Sequence, residues 1–229
     1  MRRRIQRSLW SIAALLILWG CDNGETITAD EPVPRKEVAT GKIVALGDSL
    51  TAGLGVDLAA SYPSLLQERL TQQGYNYRVV NAGVSGETTS GTLSRLDWRL
   101  SQDPDIVILE IGANDGLRGI DTALVEANLN KILKRLKEEG VVTVFAGMKM
   151  VWNLGVDYTS HFNAIYPRLA AEHDVLFMPF FLEDVAAESS LNQADTIHPN
   201  EEGYRYIVEN LFPYVIKAIE TAENRLESG

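Results

Sequence analysis

The chain has a single cysteine, Cys21, so it can close no internal disulfide and build no thiolate zinc site, both of which need pairs. Histidine is scarce as well: His161, His173 and His198 are the only three, and none stands at ligand spacing from another, so no metal centre is expected. Basic residues are in deficit, 21 Lys and Arg against 31 Asp and Glu, giving a formal charge of -10 and a pI near 4.8. Four of those basic residues lie within the first ten positions, which leaves the remainder more acidic still. A nucleic-acid binder needs clustered Lys and Arg to displace counterions, and that class is excluded. No internal repeat, low-complexity tract or second linker interrupts the later chain. What remains is an ordinary globular balance, 45% apolar and 23% charged over 229 residues, enough for one domain with a real core.

The N-terminus reads differently from the rest. Arg2, Arg3, Arg4 and Arg7 precede an apolar run from Leu9 to Gly20 of about 12 residues, short of the roughly 20 that a spanning helix needs. A basic head, a short apolar middle and a small residue at the cut describe a signal peptide over residues 1–20. Leu18-Trp19-Gly20-Cys21 resembles the bacterial lipobox, which implies lipidation of Cys21. The segment 21–40 is polar, holds Pro32 and Pro34 and lacks periodicity, so it reads as a tether, leaving one domain over residues 41–229. The expected state is an exported monomer in the bacterial envelope, facing the periplasm and touching the membrane through Cys21.

Within the domain, apolar β-rich runs at Lys42–Leu46, Tyr77–Asn81, Ile106–Ile111, Val141–Ala146 and Val175–Met178 alternate with stretches of helical spacing. The third and fourth runs are apolar without alternation, as strands buried on both faces are. The expectation is an α/β, flavodoxin-like, doubly wound sandwich around a five-stranded parallel sheet. In such sheets the functional crevice lies at the carboxyl ends of the strands. There the sequence turns abruptly polar: Gly47-Asp48-Ser49 after the first run, Asn81-Ala82-Gly83 after the second, Gly112-Ala113-Asn114-Asp115 after the third, and Asp195-Thr196-Ile197-His198 after the fifth.

These residue types serve nucleophilic catalysis. A serine hydroxyl needs a base with a pKa near neutrality, and that base needs a carboxylate to fix its tautomer. Asp195 and His198, three apart in a turn, can pair locally. Each feature has a structural reading too. Ser49 can be an N-cap after a tight Gly-Asp turn, Asn200 caps the following helix ahead of Glu201 and Glu202, and His173 reads as a surface residue at a helix end. Developing negative charge on a substrate oxygen needs donors, and the Ser49 N–H, the Gly83 N–H and the Asn114 amide are candidates.

Gly47-Asp48-Ser49-Leu50, then Gly83 in Asn81-Ala82-Gly83-Val84-Ser85-Gly86, then Gly112-Ala113-Asn114-Asp115, then Asp195-Thr196-Ile197-His198-Pro199 resemble, in order and spacing, the motif blocks of the SGNH (GDSL) hydrolase family. The likeness spans the whole domain and is greatest for the bacterial acyl-CoA thioesterase I, lysophospholipase L1 and arylesterase branch. It implies Ser49 as nucleophile, His198 as general base then acid, and Asp195 as the orienting carboxylate. Ser49, Gly83 and Asn114 would form the oxyanion hole, and no cofactor would be used. Ala113 stands where many members carry a second glycine. No Gly-x-Ser-x-Gly elbow is present, which disfavours the α/β-hydrolase alternative.

An acyl substrate needs an apolar groove, for which Leu54, Leu117, Ile120, Met148, Met150 and Trp152 are candidates; methionines suit a groove that adapts to varied chains. By resemblance the loop after Asn114 would close on the acyl chain. The expected function is therefore hydrolysis of acyl esters or thioesters. A carbohydrate O-deacetylase on the same scaffold and an inactive lipid-binding envelope lipoprotein are the alternatives.

Overall fold

A computed structural model describes residues 39–150 and 154–228. The signal segment, Cys21, nearly all of the tether and Trp152 lie outside the described residues.

Five strands, β1 (Gly41–Gly47), β2 (Tyr77–Gly83), β3 (Ile106–Glu110), β4 (Val142–Ala146) and β5 (Leu176–Met178), form one all-parallel sheet in the order β2-β1-β3-β4-β5. The unalternating runs occupy the middle: every residue of β3 and β4 is buried. The edges are managed by chemistry and by length. β2 places Arg78 outward, and β5 is only three residues long.

Between the strands run α2 (Tyr62–Gln72), α3 (Thr89–Leu100), α5 (Thr122–Glu138), α6 (Val156–His173) and, after β5, α7 (Glu201–Ser228). Their apolar stripes explain their docking. In α5, Val125, Leu129, Ile132, Leu133 and Leu136 recur at three- and four-residue steps and are buried, while Asp121 caps the first turn by accepting the Ala123 N–H at 3.0 Å. α2 packs with α7, and α5 with α3 and α6, so two sets of helices cover the sheet. The α/β doubly wound class expected from the alternation of elements is the observed one.

Two short helices, α1 (Ser49–Ala52) and α4 (Ala113–Leu117), leave no periodicity in the sequence. Four or five residues make little more than one turn, below the length at which a period is visible. Both begin where a strand has just ended. The order β2-β1-β3 means that the chain leaves β1 in one direction, then returns to its other side, so the switch point lies between β1 and β3. Register aligns Gly47 with Gly83 on one side and with Glu110 on the other, which brings three polar strand ends to one edge.

Candidate active site

The nucleophile candidate sits on α1, and its neighbours explain the turn. A Cβ on Gly47 would lie 2.1 Å from Thr51 Oγ1 and 2.4 Å from the Glu110 carbonyl oxygen, so only glycine lets β1 end this close to α1 and β3. Asp48, not Ser49, is the N-cap, so the purely structural reading of Ser49 does not hold; the Asp48 Oδ1 accepts the Leu50 N–H at 3.0 Å. Gly53 closes the helix in the left-handed region at φ 78°, its N–H donating to the Ser49 carbonyl at 3.1 Å. Ser49 therefore occupies the first helical position, where the backbone N–H has no partner within the helix. The residue is only 8% exposed.

His198 reaches it from a loop between β5 and α7. Ser49 Oγ and His198 Nε2 are 2.9 Å apart, and His198 Nδ1 is 2.7 Å from Asp195 Oδ2. Asp195 Oδ1 also accepts the backbone N–H groups of Ile197 and His198, each at 3.0 Å. The His198 amide first, then the Ile197 amide and the imidazole, hold the Asp195 carboxyl down at about 2. A carboxylate that stays ionised fixes the proton on Nδ1 and leaves Nε2 to accept from the serine hydroxyl. The turn that folds Asp195 back on His198 passes through Thr196 at φ 63°. Asn200 caps α7 as expected, its Oδ1 accepting the Gly203 N–H at 3.0 Å.

The three donor candidates stand differently. Asn114 Nδ2 donates one hydrogen to Asp48 Oδ2 at 3.0 Å, which fixes the amide plane and leaves its second hydrogen. The Gly83 N–H is engaged by Asn81 Oδ1 at 2.9 Å. Gly83 itself lies against α1, because a Cβ there would be 2.2 Å from the Ala52 nitrogen. Two carboxyls that the sequence motifs leave without a role, Asp48 and Glu110, lie fully buried behind this edge. Burial raises Asp48 to about 6 against the opposing hydrogen bonds from Leu50 and Asn114. Burial, reinforced by the Asp48 charge, pushes Glu110 well above the usual carboxylate range, while its Oε2 accepts the Thr51 hydroxyl at 2.7 Å. A glutamate closing the apolar run of β3 was the available signal.

Groove candidates divide. Leu54 and Leu117 are 45% and 49% exposed on the segments following α1 and within α4. Ile120 and Met150 are partly buried against the core, and Met150 lies on Gly116, whose Cβ would come within 2.4 Å of the sulfur. Met148 is a correction: at 2% exposure it belongs to the core, not to an open groove. His173 is another, since it is 8% exposed, hydrogen-bonded through Nε2 to Asn130 Oδ1 at 2.6 Å, and has its pKa lowered chiefly by burial.

A parallel sheet with a serine, an imidazole and an ionised carboxylate in hydrogen-bonded series at its switch point is the arrangement of a serine hydrolase on an α/β fold. Residues 45–206 match the GDSL-like Lipase/Acylhydrolase family, and the chain belongs to it. Over 179 residues it is 37% identical to Esterase TesA of Pseudomonas aeruginosa, covering 78% of this chain and 89% of that one. It is likewise 37% identical over 175 residues to Thioesterase 1/protease 1/lysophospholipase L1 of Escherichia coli K12, covering 76% and 83%. Among solved structures, the psychrotrophic esterase EstA from Pseudoalteromonas sp. superposes with a TM-score of 0.75 at 31% identity, covering 79% of this chain and 99% of that one.

Proposed function

We propose that Ser49, His198 and Asp195 carry the esterase chemistry, on acyl esters and thioesters of short to medium chain. The observation that supports this reading is the unbroken hydrogen-bonded series from Ser49 Oγ through the imidazole to Asp195. Ser49 Oγ attacks the acyl carbon while its proton passes to His198 Nε2. The negative charge on the former carbonyl oxygen is met by the Ser49 N–H and the second hydrogen of Asn114 Nδ2. The Gly83 N–H joins them by exchanging Asn81 Oδ1 for the oxyanion. Collapse breaks the bond to the leaving alkoxide or thiolate, which takes the proton from His198, and an acyl-Ser49 ester remains. Water then attacks that ester, gives its proton to Nε2, and the acid departs as the proton returns to Ser49 Oγ.

The name of the Escherichia coli relative covers thioesterase, protease and lysophospholipase activities, and that of the Pseudomonas aeruginosa relative is esterase. Leu54 and Leu117, exposed on segments beside the strand ends, support an acyl chain as the part recognised. Export and lipid anchoring at Cys21 belong to the same proposal, supported by the basic head, the apolar run and the lipobox-like Leu18–Cys21. Incorporation of an alkyne-labelled fatty acid, lost in Cys21→Ser, tests that part.

The test of the activity is hydrolysis of nitrophenyl esters with acyl chains from two to sixteen carbons by the full-length chain, beside Ser49→Ala. Turnover that peaks at intermediate chains and vanishes in the variant is expected. Activity on acetate alone would shift the reading to deacetylation, and no Ser49-dependent turnover would leave a binding protein.

A further inference from the structure

The first half of the site is built on α1 and the segment that follows it, the second half on the loop from Asn192 to Pro199. Among the described residues, two side-chain hydrogen bonds join these parts: Ser49 Oγ with His198 Nε2, and Gln193 Nε2 with the Leu54 carbonyl at 2.7 Å. Gln193 is placed to act on both sides. Its second amide hydrogen goes to the Pro199 carbonyl at 2.9 Å, and its backbone N–H to the His198 carbonyl at 2.8 Å, so it grips the residues at and after the imidazole. Leu54, its partner across the site, donates its own N–H to the Ser49 carbonyl at 3.1 Å. The glutamine amide lies flat against Gly55, where a Cβ would come within 2.0 Å of Oε1 and where φ is +82°.

We infer that Gln193 is a positioning residue that holds His198 over Ser49 while Ser49 is acylated. This role presupposes the proposed acyl-enzyme route. Before reaction the Ser49 hydroxyl itself aligns the imidazole through the 2.9 Å hydrogen bond. Once Oγ carries the acyl group it has no hydrogen to donate, and that tie between the two parts is gone. The clamp from Gln193 to the Leu54 carbonyl then remains, at the stage when Nε2 must take a proton from water attacking the acyl carbon. Deacylation depends on Gln193 more than acylation does.

The experiment is stopped-flow hydrolysis of nitrophenyl butyrate by the full-length chain, wild type, Gln193→Met and Gln193→Glu. Both variants preserve length and remove the donor, and the second preserves the planar shape. Misplacing a catalytic group by about 1 Å costs on the order of 10²-fold, so deacylation is expected to slow by roughly tenfold or more with acylation nearly unchanged. The signature is a burst of one nitrophenolate per enzyme, with the acyl-enzyme visible by intact mass, followed by a slow steady state. Steady-state and burst rates equal to wild type in either variant overturn the inference. So do acylation and deacylation slowed alike, or a burst amplitude falling in step with the steady-state rate, the mark of a partly misfolded sample. Absence of Ser49-dependent turnover in the wild-type chain would remove the esterase reading and this inference with it, whereas wild-type turnover with indifferent variants removes the inference alone.

Discussion

Gly83 and Ala52 meet backbone to backbone: a Cβ on Gly83 would stand 2.2 Å from the Ala52 nitrogen and 2.7 Å from its Cα. The glycine lets the end of β2 lie against the helix that carries Ser49, and it also brings its own N–H beside the site. Because the obstructing atoms are backbone, no rotamer change can make room. Gly83→Ala is expected to cost ~1–3 kcal/mol of stability, as overpacking does, and to lower kcat further by moving α1. Urea denaturation alongside ester hydrolysis checks both. A fully active, equally stable variant would show that α1 shifts without consequence.

Asp48 makes stability depend on pH in an unusual direction. Its folded-state pKa of about 6 lies above the ordinary value of 3.8, so the folded chain holds this proton more tightly than the unfolded chain does. Its contribution is most favourable below the unfolded value and is lost as pH rises through about 6. A shift of this size corresponds to roughly 3 kcal/mol. Asp48→Asn has no proton to lose there, so its stability relative to wild type should improve by up to that amount between pH 4 and pH 7. Glu110, freed from the Asp48 charge, ionises more readily in the variant and acts in the same direction. A stability difference that does not vary with pH would contradict the raised pKa.

The parts of this molecule legible in the sequence are those governed by local patterning or by chemistry within a few residues. Apolar runs such as Ile106–Leu109 announced buried strands because both faces of a central strand need apolar side chains. The Asp195 and His198 pairing was readable because three residues in a turn suffice to bring the groups together. Contacts across long separations were not. Nothing near His173 in sequence reveals Asn130 of α5, so a helix-end histidine looked exposed when it is packed. Met148 follows a strand into a loop, and whether it faces core or groove is decided by packing that the pattern does not encode. The Gln193 bond to Leu54 spans 139 residues and leaves no local trace.

Thr196 holds φ at 63°, a region that costs a β-branched residue about 1–2 kcal/mol. The turn needs that conformation for Asp195 Oδ1 to collect the Ile197 and His198 N–H groups. Glycine adopts it freely but adds freedom to the unfolded chain, worth ~0.4–1 kcal/mol. Thr196→Gly should therefore be neutral or more stable by up to ~1 kcal/mol in urea denaturation, with kcat retained because the hydrogen bonds to Asp195 survive. A marked loss of activity would mean that the Thr196 side chain contributes something beyond the turn.

Four exposed apolar residues, Leu54, Val84, Leu117 and Ile197, sit on four separate segments beyond the carboxyl ends of the strands. A single exposed Leu needs no explanation; four on the segments that also carry Ser49, Gly83, Asn114 and His198 fit the need to cover an acyl chain, since each buried CH₂ gains about 0.8 kcal/mol. Leu117→Ser should therefore weaken long substrates selectively, lowering kcat/KM for eight-carbon nitrophenyl esters about tenfold, or ~1.4 kcal/mol, with little change for acetate. Trp98, 61% exposed near the far end of α3, serves as the control. Trp98→Ser removes more apolar surface and should leave the chain-length profile untouched. If both substitutions act alike, the dependence comes from general surface polarity, and Leu117 has no place in acyl recognition.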